Sequence, residues 1–106
     1  MSYIIKYCDG VEYIKTIDVL IKRVLKKAGI KTNGEIKVLY WDLDRTDIEI
    51  NGNEYSIRTW EIHETPKCLY IRWTLFLMVD DGDGLGHGEP ILESISSLIK
   101  FSEIKD

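Results

Sequence analysis

The chain is poor in cysteine and proline, with two of each in 106 residues, and has no Lys or Arg between Arg72 and Lys100. No apolar run approaches the roughly 20 residues that a bilayer-spanning helix needs, so no membrane association is expected. Cys8 and Cys68 lack metal-type spacing and are too few for a disulfide framework. They read as reduced core residues of a cytoplasmic protein, since free cysteine buries readily. The opening MSYIIKYCDG is too short and too polar for a signal peptide. The patterns G-x-x-x-x-G-K-[ST], G-x-G-x-x-G and G-x-S-x-G are missing, which removes a P-loop, a dinucleotide fingerprint and a nucleophile elbow. No repeat, low-complexity tract or Pro/Ser-rich linker divides the chain, and its length suits one domain, residues 1–106.

What is present suits a small folded protein. Hydrophobic residues make up 44% and charged residues 30%, a balance that argues against disorder. The net charge of −4 conceals an asymmetry. Residues 1–40 carry eight Lys/Arg against four Asp/Glu, and residues 41–106 carry six against fourteen. The basic part coincides with the first helix, so a basic helix face accounts for it.

The hydrophobic pattern reads as a first strand over SYIIKYC, then an Asp-x-x-Glu capping box at Asp9–Glu12, then a helix from Tyr13 to Ala28. Leu20, Tyr13, Val24, Ile17, Ala28, Ile21, Ile14 and Leu25 share one arc of it, and Gly29 supplies the stop. EIKVLYWDL is apolar on both faces, as expected of a central strand next to or near the first. Asn51-Gly52 predicts a two-residue hairpin that sets Ile50 against Asn53, Glu49 against Glu54 and Ile48 against Tyr55. KCLYIRWTLFLMV forms a long strand with Leu69, Ile71, Trp73, Leu75, Leu77 and Val79 on one face. Pro90 then suits a first helical position, and Ile91, Leu92, Ile95, Leu98 and Ile99 share one face of a second helix. The expected fold is α+β, a two-layer sandwich in the order β-α-β-β-β-β-α. Its sheet is mostly antiparallel and five-stranded, with both helices on one face. A double-stranded-RNA-binding domain needs basic residues where the last helix begins; that position reads GHGEPILES, and no family resemblance follows.

The stretch VDDGDGLGHGEP places Gly82, Gly84, Gly86 and Gly88 at alternate positions among acidic residues, as a turn from strand to helix. Asp81, Asp83, His87 and Glu89 are its candidate metal ligands, for Mg²⁺ or Mn²⁺. Counted from Asp81, an EF-hand fails at Leu85 and lacks its closing glutamate. Asp42 and Asp44 of WDLD, with His63 or His87, would have to converge with that loop to cleave phosphodiesters with metal. Aspartates at strand ends are more often turn formers.

Two binding surfaces compete with that chemistry. Lys22, Arg23, Lys26 and Lys27 form a basic face that suits phosphates, but a pI near 5.2 runs against nucleic acid as the main partner. Arg58 and Trp60 share a face of one strand, and Tyr70, Arg72 and Phe76 share a face of another. Helices on one side leave these residues to solvent, and aromatic and arginine side chains anchor protein interfaces. The favoured expectation is a cytoplasmic binding or regulatory module of inhibitor or adaptor type that takes a protein partner or forms a homodimer through this sheet face and the acidic glycine loop, with no enzymatic role assigned. The alternatives are a metal-dependent phosphodiesterase and a nucleic-acid-binding protein.

Overall fold

Among the described residues, six strands lie in one sheet in the order in which the chain makes them, β1-β2-β3-β4-β5-β6. The computed structural model describes residues 3–32, 34–80 and 86–104. The elements are β1 (Ile4–Tyr7), α1 (Lys15–Ala28), β2 (Glu35–Trp41), β3 (Arg45–Ile50), β4 (Asn53–Glu64), β5 (Cys68–Asp80), β6 (Gly86–Lys100) and α2 (Phe101–Ile104). β1 and β2 are parallel and joined through α1; every later pair is antiparallel. The α+β class and the mostly antiparallel sheet match the sequence reading, but six strands replace five. Among the described residues, no helix is long and apolar enough to cross a membrane.

The second helix expected from Pro90 onward is instead β6, and α2 is a single turn after it. The reason lies in two bulges. Trp73 pairs with Ile95 but Leu75 with Leu92, and Phe76 pairs with Pro90, so β6 carries an extra residue at each step. An extra residue lets positions three apart face the same way. Leu92, Ile95 and Ile99 therefore reach the core with helical spacing while remaining in a strand. By the same pairing, the glycine stretch joins two antiparallel strands, Asp80 opposite Gly86, rather than a strand and a helix.

α1 buries Ile17, Leu20, Ile21, Val24 and Leu25 against Ile36, Val38, Ile48, Ile50, Ile57, Ile71, Trp73, Leu75 and Ile99. The NG hairpin has the expected register, and Asn51 and Gly52 both take the positive φ that a type I′ turn demands. β5 outruns the helix. Fourteen helical residues span about 21 Å, whereas thirteen strand residues span about 43 Å. Ile71, Trp73 and Leu75 are thus buried, while Leu77 and Val79 farther along are only half covered. Cys8 and Cys68 are free thiols and half-buried, not core residues.

The capping box does not form. α1 starts two residues later than expected, with Ile14 as its N-cap and no side-chain cap. Tyr7 of β1 instead tethers the helix start through its carbonyl and carboxylate acceptors, leaving the first N–H groups without a side-chain cap. Its hydroxyl sits 3.0 Å from the Ile14 carbonyl oxygen and 2.9 Å from Asp18 Oδ1, donating between the two. Burial first, and then the Asp18 carboxylate, push the phenol well above its ordinary range. Tyr7→Phe is expected to cost about 1 kcal/mol, seen as a fall of about 4–8 °C in Tm. An unchanged Tm would show that the strand does not hold the helix start. At the other end, Ile30 N–H reaches the Leu25 carbonyl at 3.1 Å and Gly29 N–H that of Lys26 at 3.3 Å, a Schellman stop as anticipated.

α2 is fastened to α1 and to the end of β6 by one carboxylate. Glu103 pairs with Arg23 and accepts the backbone N–H of Lys100 at 2.9 Å. That N–H first, and then Arg23, hold its carboxyl below the ordinary value of 4.5. A carboxyl with a depressed folded pKa contributes stability in full above its unfolded value and loses it as pH falls through the folded one. Acidification from about pH 6 to about pH 3 should therefore lower the wild-type Tm more than that of Glu103→Gln. Equal acid sensitivity of the two chains would sink the assignment.

Candidate partner-binding surface

The face of the sheet away from α1 can be read from the β4–β5 register. Ser56 stands opposite Phe76, Arg58 opposite Thr74, Glu61 opposite Arg72 and His63 opposite Tyr70. Residues directly opposed across strands project to the same side. They alternate in β5 with Ile71, Trp73 and Leu75, which pack in the core with α1. Four of the five expected partner-binding residues, Arg58, Tyr70, Arg72 and Phe76, thus share the open face. Trp60 joins them by a different route. It is the extra residue of a bulge, because Thr59 pairs with Trp73 and Glu61 with Arg72.

The bulge re-aims the indole, and a hydrogen bond holds it. Trp60 is 65% exposed, yet its Nε1 donates to Thr74 Oγ1 at 2.6 Å. Thr74 is buried and also accepts the N–H of Ser94 at 3.1 Å, so it ties β4, β5 and the bulge of β6 together. Ser94 has a positive φ of 50°, the backbone distortion that aims its N–H. Arg58 is steadied in the same manner, its Nε donating to Ser56 Oγ at 3.1 Å. The rest of its guanidinium faces no carboxylate within ion-pair reach among the described residues. Its cross-strand neighbour Arg45 is occupied, 3.2 Å from Asp47 and 4.8 Å over the ring of Tyr40.

These residues enclose a recess of about 500 Å³ lined by Asp44, Arg58, Thr59, Trp60, Phe76, Met78 and Gly88. Gly88 lets the Phe76 ring lie close across the β6 backbone: a Cβ there would stand 3.1 Å from the ring, which would have to move by a few tenths of an ångström. Tyr70 and Arg72 belong to a second recess of about 300 Å³, with Glu61, His63 and Ser96. The expected set is therefore split between two hollows of one face.

No protein-family model, curated protein sequence or solved structure matches this chain.

The metal expectation is placed only in part. His87 and Glu89 lie on one side of β6, with Nε2 and Oε1 3.6 Å apart, and both are exposed. Asp81 and Asp83 lie outside the described residues. Among the described residues, no group of three His, Cys, Asp or Glu side chains is positioned to hold an ion. Asp42 is a turn former. Its Oδ1 accepts the N–H groups of Asp44 and Arg45 at 2.7 and 2.8 Å, and its Oδ2 accepts the Tyr40 hydroxyl at 2.8 Å. The Tyr40 bond above all keeps its carboxyl below the ordinary range. Of the basic set, Lys22, Lys26 and Lys27 are exposed on α1, and Arg23 is taken by Glu103. Sequence reasoning missed Ser56 and Thr74, the buried hydroxyls beneath the open face. The hydroxyl of Thr74 in the otherwise apolar WTLFLMV was the available signal.

Proposed function

We propose that this chain is a small binding or regulatory protein of inhibitor or adaptor type. Its open sheet face takes a protein partner, or a second copy of the chain, at Arg58, Trp60 and Phe76. The observation that carries the reading is a tryptophan exposed to solvent but pinned by a buried threonine. A large ring already fixed in place loses little conformational freedom on binding, and such aromatic and arginine anchors dominate interface energies. Aromatic surface around a recess is also costly to leave in water unless it is used. Sedimentation equilibrium of the wild type and Trp60→Ala, with and without millimolar Mg²⁺ or Mn²⁺, tests it. The expected result is self-association that ignores metal and is lost in Trp60→Ala. A wild-type monomer moves the test to an immobilised chain, from which the bound protein should be released by Trp60→Ala and by Phe76→Ala. Association driven by the metal, or binding indifferent to both substitutions, would overturn the reading.

A further inference from the structure

Strand β6 ends the sheet, and the phase of its ladder shows which backbone groups it leaves over. Phe101 donates its N–H to the Lys67 carbonyl at 2.9 Å. In an antiparallel pair, residues alternate between exchanging bonds with the neighbour and turning them away. Ile95, Ser97 and Ile99 therefore bond toward β5, while Ser96, Leu98 and Lys100 turn their N–H and C=O groups outward. The pairing is regular from Cys68 opposite Lys100 to Trp73 opposite Ile95, and the bulges begin only beyond it. Elsewhere β6 is protected as edge strands commonly are, by Pro90, by Glu89 and Glu93, and by its bulges. The segment Ile95–Ile99 has none of these.

The chain itself seats one carboxylate against this edge. The outward N–H of Lys100 goes to Glu103, which also pairs with Arg23 of α1. Leu98 and Ser96 come next along the edge. Beside them, Arg23, Lys26 and Lys27 of α1 line a recess of about 390 Å³ together with Ser97 and Leu98. Ser97 and Leu98 project to opposite faces of β6, so a hollow touching both lies along its outer edge. Lys26 and Lys27 are exposed and have no acidic partner among the described residues.

We propose that the edge Ile95–Ile99 accepts an added strand from an acidic, extended peptide segment. Its main chain pairs with Ser96 and Leu98, and its carboxylates meet Lys26 and Lys27, repeating outward what Glu103 does within the chain. Strand addition of this kind takes affinity from the backbone and selectivity from flanking side chains. A second copy fits the edge less well. Antiparallel pairing of β6 with its own image sets the two α1 helices side by side, Lys26 and Lys27 against like charges. This edge is separate from the Trp60 recess, and neither reading depends on the other.

The test is amide NMR of the full chain with a short capped peptide alternating Val and Glu, its Val and Lys counterpart, and a single-stranded oligonucleotide. With the acidic peptide, the Ser96 and Leu98 amides should shift and exchange more slowly with solvent. Lys26→Glu with Lys27→Glu should weaken binding at least about tenfold. Ser96→Pro removes one outward N–H without touching the β5 ladder and should abolish binding. Should that variant fold poorly, the acidic peptide N-methylated at its ladder-forming amides must fail on the wild-type chain. Trp60→Ala should bind the peptide normally. The proposal is overturned if the acidic peptide does not bind, if N-methylation is harmless, or if Trp60→Ala loses the peptide. It is overturned equally if the oligonucleotide takes the lysines with no effect of Ser96→Pro, which assigns the surface to nucleic acid. Self-association abolished by Ser96→Pro would assign the edge to a second copy.

Discussion

Trp73→Ala is expected to lower Tm by about 20 °C or more and to leave a substantial unfolded fraction at 37 °C. Trp73 is fully buried, among Ile57, Ile71, Leu75 and Ile99 beneath α1. Truncating a buried tryptophan to alanine typically costs about 3–5 kcal/mol, because packing is lost and the cavity collapses only in part. The substitution also orphans Ser97 Oγ, which now accepts the indole N–H at 2.9 Å, adding about 1 kcal/mol. Domains of this size hold about 5–15 kcal/mol in all, so the loss is a large share of it. Thermal denaturation followed by circular dichroism reads the result. A fall of less than about 5 °C would mean that the core is centred elsewhere.

Trp60→Ala should do the opposite: leave Tm within a few degrees of wild type and remove binding. Most of that indole already faces water, so little buried apolar area is lost, and Thr74 keeps its bond from Ser94. If the open face is the interface, a pinned central tryptophan should be worth about 2 kcal/mol or more, a loss of affinity of about thirtyfold. Sedimentation or titration calorimetry against the bound protein measures it. Trp60→Phe, which keeps an aromatic but cannot donate to Thr74, should fall between the two. Equal affinities for wild type and Trp60→Ala would remove the open face from consideration, whatever happens at the β6 edge.

Much of the framework was legible because its signals are local. The apolar arc of α1, the Asn51-Gly52 turn with its register, and the alternation of Tyr70, Arg72 and Phe76 each depend on a few neighbouring residues and a fixed period. The failures share a different cause. β6 was misread because bulges turn a strand's two-residue period into the three- and four-residue spacing of a helix, and nothing within Pro90–Lys100 distinguishes the two. The helix start was misplaced because Asp9 and Glu12 satisfy a capping pattern, while the observed tether comes from Tyr7 on a neighbouring strand.

The candidate surface divides the same way. That Arg58 and Trp60, or Tyr70, Arg72 and Phe76, belong together follows from counting along each strand. Their union on one face, the pinning of Trp60 by Thr74 and the passage of Phe76 over Gly88 do not, since each needs two strands in known register. By itself the sequence determined the α+β class, the first helix, the central hairpin and which residues share a face within each strand, all through local signals. Tertiary structure alone decided that the chain's last long segment is a strand, which hydroxyl holds the exposed tryptophan, and that an unprotected edge runs beside two lysines with no acidic partner among the described residues. Those features rest on pairing between residues far apart in the chain, and local propensity carries no record of it.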